Sequence, residues 1–204
     1  DNDALLAHIK KCRPQYVANT SPRRFCLQLA MYNHVTQGGA ASERIATEVE
    51  RGWAQNPGDT MLTVALTSVE PLAALSHVSR FLSSRRVDIQ RVQVDVITGE
   101  PNVTFLRVLT SNYTDPKTNV VSSWNDLPQE SAIKDLARAS KWLDDRTVDL
   151  LSHREQLVGK SVAAAEATVA LADLCHALLS PMDPYQYARA RVLSVMTQPG
   201  PAQK

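Results

Sequence analysis

Cys175-His176 is the most nucleophile-like pair in this 204-residue chain, a thiol beside an imidazole that could take its proton. Adjacent residues on a helix point about 100° apart, however, so the two cannot share a proton efficiently. The pair reads as a buried cysteine beside a half-exposed histidine. Asp144-Asp145, flanked by Lys141 and Arg146, offers two carboxylates to a cation, but no third oxygen cluster adjoins them. Ending or capping a helix is the better assignment. The five histidines, His8, His34, His77, His153 and His176, stand singly, none with a second at i+3 or i+4. They are expected to be surface or satisfied core residues. Arg23-Arg24 and Arg85-Arg86 fit solvated faces or partner contacts better than phosphate recognition. None of the seven glycines builds GxGxxG, GxxxxGK(S/T) or GxSxG, and HExxH is absent. No catalytic, metal or cofactor residue is therefore assigned.

Composition agrees with that reading. Twenty-two Lys and Arg against 21 Asp and Glu leave a net charge of +1, without the basic excess that a nucleic-acid backbone demands. With 44% hydrophobic and 21% charged residues the chain should fold, and at 5% aromatic its core must be mostly Leu, Val and Ala. Cys12, Cys26 and Cys175 are odd in number and form no CxxC, which suits a reducing compartment. The longest apolar stretch, 162–180, is interrupted by Glu166, Asp173 and His176, so no membrane span is expected. A start at Asp1 without a basic and then apolar leader fits a processed or truncated product.

The elements that must position any site fall into three stretches. Residues 1–58 read as a helical extension: Pro22 opens a helix carrying Phe25, Leu29 and Tyr32, and after the break at 37–41 a second helix runs to about Trp53 on Ile45 and Val49. Residues 59–145 read as an α+β module. Leu62, Val64 and Leu66 alternate as a strand, and Leu72, Leu75, Val78 and Leu82 recur at helical spacing behind Pro71. Val92, Val94 and Val96 alternate with Arg91, Gln93 and Asp95 in an edge strand with one wet face, and 103–109 is apolar on both faces, as in a central strand. Strand, helix, strand, strand predicts two parallel strands joined by a right-handed crossover and a third returning antiparallel. That run is most of a ferredoxin-like sandwich, the fold of ACT-type ligand-sensing domains. A closing helix is expected over 128–143, with no obvious fourth strand, and 146–204 returns to helical patterns at 148–158, 161–179 and 185–196.

The segments Ser21-Pro22-Arg23-Arg24-Phe25, the βαββ run of 62–109 and Arg138-Ala139-Ser140-Lys141-Trp142-Leu143-Asp144-Asp145 occur in an order that resembles the N-terminal, non-catalytic region of the large NAD-specific glutamate dehydrogenases. His176-Ala177-Leu178-Leu179-Ser180-Pro181 is similar to a later segment of that family. The resemblance implies a part of an enzyme that deaminates glutamate with NAD, but the catalytic and cofactor domains have no counterpart in these residues. A regulatory or assembly role is what remains.

In ACT-type modules the ligand sits at the first strand-to-helix turn, here Ser68, Val69, Glu70 and Pro71. That turn keeps a proline and lacks the glycine that lets backbone approach a ligand closely. It is a candidate ligand or interface turn, with packing between modules the safer reading. Two functions are carried forward: a regulatory and oligomerisation segment of a large glutamate dehydrogenase, or an accessory structural subunit of a larger, mitochondrial or other organellar, assembly. A free-standing amino-acid sensor is a third. The expected partners are proteins, including further copies of this chain, and the mitochondrial matrix is favoured over the cytosol. Val92, Val94 and Val96 offer an interface if their strand edge is open. The helix around Leu171, Leu174 and Leu178 is the other candidate, with burial in the chain's own core the favoured reading.

Overall fold

A computed structural model describes residues 2–18, 20–37, 44–52, 58–114, 118, 120–123, 140–153 and 162–198. Helices α1 (Asn2–Lys11), α2 (Pro14–Ala18) and α3 (Pro22–Gln37) precede strands β1 (Ile45–Arg51) and β2 (Thr60–Thr67). Helix α4 (Pro71–Ser84), strands β3 (Val87–Ile97) and β4 (Val103–Thr114) and the short β5 (Val121–Ser123) follow. Helices α5 (Asp145–His153), α6 (Val162–Leu179) and α7 (Arg189–Met196) complete the described elements. The chain is α+β.

The strands form one antiparallel sheet in the order β1-β2-β4-β3, with β5 joining β4 at Asn112 to Thr114. β2 and β3 each run antiparallel to β4, so they are parallel to one another with β4 between them. The expected parallel pair and the expected central and edge strands are all present.

Of the second expected helix, the described residues 44–52 are not helical. Ile45 and Val49 share a face at either period, since i and i+4 coincide on a helix and on a strand. What decides is the partner: Ile45, Thr47 and Val49 stand opposite Leu66, Val64 and Leu62, and the pairing satisfies the β1 backbone on the edge of β2. The sheet thus recruits its fourth long strand from upstream. The helix expected over 128–143 lies outside the described residues except for 140–143, and 154–158 of the next expected helix lie outside them too. Helix α7 starts at Arg189, later than expected, because 184–187 are turns.

Both faces of the sheet are covered. One carries Leu62, Val64, Leu66, Leu106 and Val108 against Val78, Phe81 and Leu82 of α4 and Val148 and Leu151 of α5. The other carries Ala65, Val103 and Phe105 against Met31 and Val35 of α3. Every residue of β2 is consequently buried, its threonines included. Each large side chain fully buried in this way stabilises the fold by about 1.5–3 kcal/mol.

Candidate functional site

Several of the residues singled out for chemistry, His176, Asp144 and Asp145 among them, are held in structural contacts. The His176 ring donates through Nδ1 to the Tyr187 carbonyl at 2.7 Å, tying α6 to the turn before α7. Cys175 beside it is a free, partly exposed thiol. Asp144 caps α5, accepting from the Thr147 amide at 2.7 Å. Burial acts to raise the Asp144 pKa, but the hydrogen bonds from Thr147 together with the charge and amide of Arg146 outweigh it and hold the carboxyl below its ordinary value. Asp145 faces α4, 3.2 Å from His77 and 3.7 Å from Arg80. Among the described residues no cluster of three His, Cys, Asp or Glu is placed to hold a metal ion. His8 is buried edge-on against Tyr32, with neither ring nitrogen hydrogen-bonded. Burial, reinforced by Lys11, pushes its pKa below 6.5.

At the strand-to-helix turn, Ser68 adopts φ 58°, Val69 packs on the main core and Pro71 opens α4. The Glu70 carboxylate accepts the Ala73 amide at 2.6 Å and so occupies the helix N-terminus itself. Lys141 reaches the same end of β2, donating to Thr67 Oγ1 at 3.4 Å, while Leu143 beside it is buried. The Lys-Trp-Leu-Asp-Asp stretch therefore pins the C-terminal helices to β2 and α4. Val92 and Val94 pack on the chain's own core, and what β3 leaves open among the described residues is its outer backbone edge.

The polar face of β3 does not simply meet water. Arg91, Gln93 and Asp95 share a face with Arg107 of β4, and Gln15 and Tyr16 of α2 and Arg24 of α3 stand over them. Together they line a half-open cavity of about 610 Å³. Arg107 donates to Asp95 at 2.8 Å and stacks on the Tyr16 ring, its guanidinium carbon 4.9 Å from the centroid. Arg24 lies 3.9 Å from Glu50. Burial lowers the Arg24 pKa, Glu50 opposes that, and Arg107 and Arg91 add to the lowering. Burial also pushes the Tyr16 phenol up to about 12. Behind the cavity, Gln28 Oε1 and Arg107 Nε are buried without a hydrogen-bond partner, beside a void of about 10 Å³, room for about one water. The sequence carries the signal as a polar alternation on β3 matched by the lone Arg107 of β4. Without knowing that α2 and α3 cover it, that face reads as solvated.

A second cavity, of about 630 Å³, lies among α5, α6 and α7 and is largely apolar, with Asp173 at one side held by Arg146 and Arg189. Helix α6 buries Val162, Ala165, Val169 and Ala172, residues small enough for close packing. Leu171, Leu174 and Leu178 fall about 160° away around the helix and are 50%, 54% and 67% exposed. The leucines are thus not core, against expectation. The helix is long and apolar enough to cross a membrane, a property that core helices share, and no second described helix is.

No known protein family, curated protein or solved structure matches this chain.

Proposed function

We propose that the chain is a non-catalytic regulatory and oligomerisation segment, as its resemblance to the N-terminal region of the large NAD-specific glutamate dehydrogenases implies. The single observation that carries this reading is the ridge of Leu171, Leu174 and Leu178 on α6, with the 76% exposed Met182 in the turn that follows the helix. An apolar ridge of this kind on a folded surface marks a protein contact. Its occupant is a second copy of the chain or the catalytic part of the enzyme.

The split βαβ unit, with β4 inserted between β2 and β3, supports an ACT-like, ferredoxin-like ancestry. The edge beside β2 that such a sandwich gives to its last strand is taken here by β1. Regulation in this architecture acts through packing: a ligand or neighbour that favours one arrangement of the α4 to α7 layer shifts the assembly by its differential affinity for the two states.

Mass measurement of the native particle tests the reading, with the variant Leu171→Gln, Leu174→Gln, Leu178→Gln alongside. We expect a particle larger than one copy that dissociates in the variant. A native particle of a single copy would overturn the assignment.

A further inference from the structure

We propose that the cavity between α2, α3 and the polar face of β3 and β4 binds a small organic oxyanion, a carboxylate or phosphate ester, through Arg24, Arg91 and Arg107.

The charge arrangement carries the argument. The lining of the cavity carries three guanidinium groups and one carboxylate, Asp95, with Glu50 beside Arg24 outside the lining. Arg107 has Asp95 at 2.8 Å and Arg24 has Glu50 at 3.9 Å. Arg91 makes no ion pair among the described residues and stands exposed, facing the same space. A cluster that served only to fasten α3 to the sheet would set a carboxylate against each guanidinium, because like charges held together oppose folding. A bound oxyanion supplies the missing charge and accepts paired N–H donors from a planar guanidinium fork.

The space sets the size of the ligand. About 610 Å³ lies within the range of small-molecule sites and exceeds what a bare inorganic ion would fill. Gln15 and Gln93 add amide groups to its lining, and the Arg107 guanidinium lies over the Tyr16 ring, 4.9 Å from its centroid. The walls belong to helix and strand rather than loop, which suits a preformed site. It lies on the opposite face of the sheet from α4, so it is separate from the Ser68 to Pro71 turn.

The test is isothermal titration calorimetry of the full chain at constant ionic strength with citrate, succinate and inorganic phosphate as probes. Saturable binding of at least one probe is expected, with citrate or succinate ahead if the site takes carboxylates and phosphate ahead if it takes phosphate esters. Arg91→Gln and Arg24→Gln should each weaken that binding about 10-fold or more, the worth of a charge-assisted hydrogen-bond pair. Arg23→Gln, which removes the same charge from the exposed side of α3, should leave it within about 2-fold. Circular dichroism confirms that each variant is folded. No saturable binding by any probe, or equal weakening by Arg23→Gln and Arg91→Gln, would overturn the proposal.

Discussion

The Arg107–Asp95 pair offers a quantitative test of how the polar cavity is held together. The two side chains lie diagonally across β3 and β4, 11% and 22% exposed, with a 2.8 Å contact. At a charge separation of about 4 Å and an effective dielectric near 20, their attraction is about 4 kcal/mol. Desolvation and the partly open cavity offset much of it, so a coupling of about 1–3 kcal/mol is expected, above the 0–1 kcal/mol of exposed pairs. Asp95→Asn should cost about 2–3 kcal/mol, because it removes the carboxylate that Arg107 faces at 2.8 Å in a cavity lined by two further guanidiniums. Arg107→Met should cost about as much, since Asp95 is stranded and the stacking on Tyr16 is lost. The double variant should cost clearly less than the sum. Urea unfolding of the four proteins at pH 7 and low salt measures the cycle. Adding salt should shrink the penalty of Asp95→Asn through screening. A coupling below about 0.5 kcal/mol would refute the electrostatic account and leave stacking and packing as the cohesive forces.

Asp144→Ala removes the α5 cap and should cost about 1 kcal/mol in urea unfolding. Its folded pKa is depressed, so this contribution is present above the ordinary carboxylate value and lost as pH falls through the folded one, and Asp144→Asn should reduce the acid sensitivity below pH ~4. For His8, also depressed, the unfolded chain takes up a proton below pH 6.5 that the buried ring refuses, so stability is present above that pH and falls beneath it. The urea midpoint of His8→Phe should therefore fall less between pH 7.5 and 5.5 than that of the unaltered protein; equal slopes would show that His8 is solvated.

Local pattern determined much of this protein. Period-two alternation placed β2 and β3, the continuous apolar run placed β4 at the centre, and Pro71 with its leucine spacing placed α4, because these signals depend only on near neighbours. Asp144 was legible as a helix cap for the same reason, whereas His8, expected at the surface or satisfied in the core, is buried with neither ring nitrogen hydrogen-bonded. Tertiary structure decided the rest. Ile45 and Val49 satisfy both periods, and only the unpaired edge of β2 turned them into strand. Leu171, Leu174 and Leu178 are as apolar as any core residue, yet α6 packs through its Ala and Val face, where helices approach most closely. Arg24 lies far along the chain from Arg91 and Arg107, and the three line one cavity only when α2 and α3 fold over the sheet, since electrostatics acts through space and leaves no trace in spacing along the chain.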